Sequence, residues 1–218
     1  MKNTIKTLFV ASTLFISQQS FADTAFGIGV GTLGGKLQLA QSLTKNTNLR
    51  LEYNGANYNT NGATSGVDYD LDLELSSVGL LFDWHLLNNS FRITLGGLYN
   101  DNGISAVSSL GNSSFEVGNM SFTSAQVGRL EGDIEFNTFA PYLGIGWGRA
   151  VHKGYSFNLD IGVVMQGNPE VNLSSIGGTL SNNTLLLNEI EAEERELQND
   201  LDNFDLYPVI SLGVNYTF

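Results

Sequence analysis

Asp68, Asp70, Asp72 and Glu74 stand at every second position, so an extended strand carries all four carboxylates on one face. Like charges at that spacing destabilise one another, and their summed field concentrates cations. Asp101, Glu131, Asp133, Glu135 and Asp205 add to the same acidic character in or beside longer connections. A second set is balanced, with Arg50, Arg92 and Arg149 against Glu52, Asp83 and Asp160. In a narrow space, equal numbers of opposite charges either neutralise in pairs as a packed plug or form a charge-selective constriction. The four-acid run is thus expected to attract small cationic solutes at a mouth, and the balanced six to line a constriction.

Other chemistries lack their parts. Hydrolysis needs a base beside its nucleophile. His85 and His152 are the only histidines, and neither sits in a Gly-x-Ser-x-Gly or His-x-x-x-His pattern. Cysteine is absent, which removes thiolate metal sites and Cys nucleophiles. The spacing of the acids matches no calcium-loop motif. No catalytic, cofactor-binding or metal-ligating residue is assigned, and no enzyme activity is expected. A net charge of −12 argues against nucleic acid as a partner.

The elements that position these charges have a period of two. Leu49, Leu51 and Tyr53 alternate with Arg50, Glu52 and Asn54, and Phe91, Ile93 and Leu95 alternate with Arg92, Thr94 and Gly96. Phe139, Leu143, Ile145 and Trp147 alternate with Tyr142, Gly144, Gly146 and Gly148, and Phe157, Leu159, Ile161 and Val163 with Asn158, Asp160 and Gly162. The chain closes on Val209 to Phe218 in the same alternation, ending on an aromatic as the last strand of an outer-membrane β-barrel does. Arginine facing lipid at mid-depth costs about 2–4 kcal/mol, so Arg50 and Arg92 must point inward. Residues 1–22 read as a signal peptide: a basic start, an apolar stretch from Thr7 to Ile16, and Ser20-Phe21-Ala22 as a cleavage site. Residues 23–218 then form one barrel domain. No apolar stretch is long enough for a spanning helix, so any membrane crossing must use strands closed on themselves.

Short polar breaks at 44–47, 85–90 and 151–154 read as periplasmic turns, and 61–66, 103–134 and 168–206 as longer outer connections. The resulting fold is all-β, an eight-stranded antiparallel transmembrane barrel with strands near 25–32, 36–43, 48–60, 67–84, 91–102, 135–150, 155–167 and 207–218. The first pair turns near Leu33-Gly34-Gly35, with a single glycine-bent strand as the alternative. The fourth strand switches phase, apolar at Tyr69, Leu71, Leu73 and Leu75 but then at Val78, Leu80, Phe82 and Trp84. Either a bulge at Ser76-Ser77 absorbs the switch, or 67–75 projects beyond the lipid. Tyr53, Trp84, Phe91, Trp147, Tyr155, Tyr216 and Phe218 sit where interfacial girdles belong, and Phe218 is the expected signal for barrel-assembly machinery. Phe115 to Phe122 reads as a hairpin around Gly118-Asn119. Thr184 to Asn203 reads as an acidic helix with Leu186, Ile190, Leu197 and Leu201 on one stripe, serving as a lid or a folded loop.

Ala140 to Trp147, Gln166 to Val171, the acidic helix and Tyr207 to Tyr216 occur together in an ordered set. That set resembles the CarO-type family, the carbapenem-associated, ornithine-uptake porins of Gram-negative bacteria. The likeness is best over 135–218 and weaker over 48–60 and 115–135. It implies a small eight-stranded barrel in the cell outer membrane, in contact with its lipid, that passes small amino acids including basic ones such as ornithine. It also implies a link to carbapenem susceptibility, and it supplies no agreed set of pore residues. The leading expectation is a narrow cation-preferring channel; the alternative is a closed structural barrel with a plugged lumen and loops for surface interaction.

Overall fold

The computed structural model describes residues 23–64, 67–86, 89–109 and 114–218. The expected signal peptide lies outside the described residues. Among the described residues the main sheet has 11 strands, including β1 (Thr24–Gly31), β2 (Gly34–Thr44), β3 (Thr47–Thr64), β4 (Val67–His85), β5 (Phe91–Asn100), and later β10 (Phe139–Trp147), β11 (Gly154–Met165) and β13 (Leu206–Thr217). Between and after them come β6 (Gly103–Ser109), the hairpin β7 (Ser114–Val117) and β8 (Met120–Thr123), the single-turn α1 (Ser124–Val127), β9 (Gly128–Glu135), β12 (Glu170–Gly177) and α2 (Thr184–Leu201). The pairing is antiparallel throughout, and following it from β1 through β2, β3, β4, β5, β10, β11 and β13 leads back to β1.

The first pair is a tight hairpin, not a bent strand. Gly31 pairs with Gly34 across the two-residue turn Thr32-Leu33. Gly34 has φ +95°, and a Cβ there would lie 2.4 Å from the Gly55 carbonyl oxygen, so glycine is required on both counts.

Burial along these strands is inverted relative to a water-soluble sheet. On β10 the side chains alternate strictly, with Ala140 and Tyr142 buried and Phe139 and Trp147 exposed at 69 % and 61 %. Arg50, Arg92 and Asp83 are 0 % exposed. Charges inside and a continuous apolar exterior are stable only if the surroundings are hydrocarbon, because water would reward the opposite arrangement. No helix among the described residues is long and apolar enough to cross a membrane.

β3 and β4 outrun their neighbours. Their ladder is unbroken from Thr47↔Trp84 to Thr64↔Val67, so the expected bulge at Ser76-Ser77 is absent. The odd-numbered side chains of β4 face the same side throughout, and what changes is the partner. Residues 77–85 pair with β5, whereas residues 68–74 pair with β6, which is followed by β9 and then β12. In the first region the inner face holds Ser77, Leu81, Asp83 and His85 while Val78, Leu80, Phe82 and Trp84 lie outside; beyond Ser76 the inner face is Leu71, Leu73 and Leu75 while Asp70, Asp72 and Glu74 are exposed. Hydrophobicity inverts on a strand whose geometry does not, as expected where the medium changes from hydrocarbon to water.

The extension β4-β6-β9-β12 has its own core. Val117, Phe122 and Val127 of the small hairpin and α1 pack with Leu186 and Ile190 of α2, flanked by Tyr69, Leu130, Leu173 and Leu180. Asn183 caps α2, its side chain accepting from the Leu185 amide at 2.9 Å. α2 also shields the free edge of β12: the Leu173 amide donates to Glu194 Oε1 at 2.6 Å and the Val171 amide to Gln198 Oε1 at 3.2 Å. An unpaired strand edge is a template for aggregation, and two side chains one helical turn apart satisfy it here.

Candidate functional site: the charged lumen and its cover

Alternation places Arg50 and Glu52 of β3, Asp83 of β4, Arg92 of β5 and Asp160 of β11 inside the ring. Arg50 reaches three carboxylates, at 2.9 Å to Glu52, 2.7 Å from Nε to Asp83 and 3.2 Å to Asp160. Arg92 lies 3.5 Å from Asp83 and 2.5 Å from Asp160, and it also donates to the Gly148 carbonyl. Asp160 is the hub, since Asn158 donates to it at 3.1 Å and Lys36 approaches to 3.3 Å. Thr94 donates to Asp83 at 2.7 Å.

The third cation is Lys36 rather than Arg149. Lys36 lies 3.8 Å from Glu52 and donates to Ser211 Oγ at 2.9 Å, and only 4 % of it is exposed. Its long stem carries the ammonium from the start of β2 into the network, a reach that residue position alone does not reveal. The sequence signal was its parity, shared with Gln38 and opposite to Leu37 and Leu39. Arg149 stands beyond the end of β10, half-buried, and its charge acts on the His85 ring. Three cations and three carboxylates therefore neutralise one another, with Arg149 outside the set.

Glycines make room for the network. A Cβ on Gly146 would sit 2.7 Å from the Arg92 Cζ, and one on Gly162 would sit 2.5 Å from the Tyr142 hydroxyl. Beside the charges, Leu33, Leu81, Leu98, Ala140, Tyr142, Val164 and Val209 form an apolar layer across the lumen, with Tyr207 packed on it. Between the two layers remains a cavity of about 20 Å³, lined by Lys36, Arg50, Leu98, Tyr142, Asp160 and Val209 among others. That is space for about one water molecule.

Asp70, Asp72 and Glu74 point away from the face that continues the lumen, because parity is conserved along β4; the side chain of Asp68 lies outside the described residues. Asp72, Glu74, Asp101, Asp133 and Glu135 instead border an outward-facing cavity of about 270 Å³ beside the junction of β5 and β6. Ser105 donates to Asp133 there at 2.9 Å. Glu131 pairs with Arg129 at 2.5 Å on the surface. Among the described residues no group of three His, Cys, Asp or Glu is arranged to hold a metal ion.

At the short-turn end, the rings of Tyr155 and Tyr216 meet tilted at 5.0 Å and Tyr216 meets Phe218 edge-on at 5.3 Å, an exposed aromatic cluster of girdle type. No protein-family model and no curated protein sequence matches the chain. Solved structures similar to it include the following two. Acinetobacter baumannii CarO2 aligns with TM-score 0.60 and 26 % identity over 92 % of this chain and all of that one. Acinetobacter baumannii CarO aligns with TM-score 0.57 and 26 % identity over 93 % of this chain and all of that one. Together with the inverted burial, this near end-to-end likeness makes the chain an outer-membrane β-barrel protein that resembles the CarO type.

Proposed function

We propose that the protein is a closed eight-stranded barrel of the outer membrane whose lumen is a structural plug, and that its work lies in the sheet-and-helix extension it holds outside the lipid. The observation that carries this reading is the 20 Å³ cavity between a charge-balanced network and an apolar layer. An eight-stranded barrel is just wide enough for side chains to fill, and these side chains fill it. A solute the size of ornithine needs far more room than one water. Passage would require parting at least one of the contacts of Asp160 and displacing the apolar layer together. Proteoliposomes holding the refolded protein, supplied with labelled ornithine or lysine, are expected to take up no more than empty liposomes. Saturable uptake above that background would overturn the closed reading.

A second reading, the narrow cation-preferring channel for basic amino acids, is supported by the acidic outer cavity around Asp72, Glu74, Asp101, Asp133 and Glu135. In it, Asp68, Asp70, Asp72 and Glu74 attract the solute from outside and Arg50, Glu52, Asp83, Arg92 and Asp160 form the constriction, with Arg149 at its edge. Replacing the four acids by Asn then weakens cation preference in the reversal potential under a salt gradient. An unchanged reversal potential in a conducting protein removes that role from them.

A further inference from the structure

Outside the lipid, the inner face of the extension is only partly covered by α2. Its first two turns bury Leu186 and Ile190, but the next position on the stripe is Glu193, and Leu197 and Leu201 beyond it are only half-buried. Two cavities follow from this. One, of about 410 Å³, is bordered by Tyr69, Leu71, Ala106, Leu173, Glu193 and Leu197. The other, of about 240 Å³, is bordered by Leu73, Ile104, Ile134, Leu201 and Phe204. Leu71 and Leu73 are neighbours on one face of β4, Ala106 and Ile104 on one face of β6, and Leu197 and Leu201 on one stripe of α2. The cavities therefore adjoin end to end along the helix, at sizes usual for small-molecule sites.

In the first cavity Gly62 and Ala106 leave part of the floor unfilled. A Cβ on Gly62 would meet nothing nearer than Leu71 Cδ1 at 3.9 Å, so a larger residue would have fitted. Empty apolar space forfeits packing contacts, and an occupant would restore them. Its chemistry is limited by what the walls offer. In the second cavity the polar linings are engaged within the chain: Gln166 donates to the Phe204 carbonyl, Asn102 accepts from the Ser76 amide and the Tyr207 hydroxyl donates to the Thr32 carbonyl. Only hydrocarbon is welcome there. In the first cavity the one carboxylate is Glu193, and no Lys, Arg or His borders either cavity among the described residues. Glu193 Oε2 accepts from the Gly118 amide at 3.0 Å, which fixes the carboxylate at this place. Burial first, and the Glu193 charge second, push the Tyr69 phenol up, so Tyr69 remains a neutral wall.

We propose that this tract beneath α2 binds a small amphipathic amine, its hydrocarbon body along the apolar floor and its ammonium group at Glu193. A carboxylate of the same length finds no cation there and meets the acidic helix. The site is independent of whether the lumen conducts.

The test is methyl-labelled protein in lipid nanodiscs, titrated with octylammonium, octanol and octanoate and followed by NMR. Saturable shifts are expected at Leu71, Leu173, Leu197 and Ile134 with octylammonium, about fivefold weaker binding with octanol for want of the ion pair, and none with octanoate. Lipid-facing Ile145 and Leu212 report simple partition into the bilayer. Shifts confined to those two, or octanoate binding as well as octylammonium, overturn the proposal. Ala106→Phe, which projects a ring into the first cavity, is expected to weaken both amine and alcohol binding. Should that variant fail to fold, Glu193→Gln decides, since its amide oxygen still accepts from Gly118: octylammonium affinity should fall to that of octanol, and an unchanged affinity overturns the proposal.

Discussion

Asp160→Asn removes one negative charge from a site where three cations converge. In the folded protein Asp160 lies 3.3 Å from Lys36, 3.2 Å from Arg50 and 2.5 Å from Arg92. The substitution keeps the shape and leaves three cations facing Glu52 and Asp83, a net charge of one in a space that holds about one water. Removing one partner of a buried ion pair costs about 3–5 kcal/mol because the remaining charge is left uncompensated. With a urea slope of about 2 kcal/mol per M, that lowers the unfolding midpoint by about 2 M. The assay is equilibrium unfolding of the refolded barrel, read by tryptophan fluorescence from Trp84 and Trp147 and by heat-modifiable gel mobility. A companion, Arg92→Met with Asp160→Asn, restores charge balance and should recover part of the loss, giving a non-additive cycle. If Asp160→Asn unfolds at the wild-type midpoint, the network does not hold the barrel together and the reasoning fails.

Gly146→Val places side-chain atoms where the Arg92 guanidinium now lies, with the Cβ itself 2.7 Å from Cζ. It should therefore destabilise about as much as losing an ion-pair partner, and a wild-type urea midpoint would refute that packing. Glu194→Ala with Gln198→Ala strips the β12 edge of its two acceptors, each unsatisfied amide costing about 1–3 kcal/mol. Proteolysis of 168–205 in the intact barrel should accelerate while gel mobility of the barrel stays unchanged, and equal cleavage rates would count against the edge-shielding role. Asn183→Ala should weaken α2 by about 1 kcal/mol through loss of its cap, visible as faster amide hydrogen exchange at Leu185 and its neighbours.

The strands of the ring were legible because lipid outside and a packed lumen inside enforce a strict period of two. β1, β2, β3, β4, β5, β10, β11 and β13 fall within a few residues of the expected positions. α2 was equally legible from its leucine stripe, and the hairpin from Gly118-Asn119, where φ of Gly118 is +60°. The strands β6, β9 and β12 were not, although Leu130 and Ile134 alternate with Glu131, Asp133 and Glu135. In water a sheet covered on one face by a helix tolerates glycine and serine at alternate places, and such a stretch reads as a loop. The same change of medium explains β4: its apolar parity inverts at Ser76 with no bulge, which agrees with the alternative reading that 67–75 projects beyond the lipid. Among the lumen charges, five of the six expected residues converge. Lys36 was missed because its Cα sits near the start of β2 while its ammonium sits in the centre.

The central claim is that the charge network and the apolar layer close the lumen. Single-channel recording of the refolded protein in planar bilayers tests it most directly, with folding verified by heat modifiability before insertion. Wild-type protein is expected to show no discrete openings under applied voltage in potassium chloride. Steady, cation-selective openings from the wild-type barrel would contradict it.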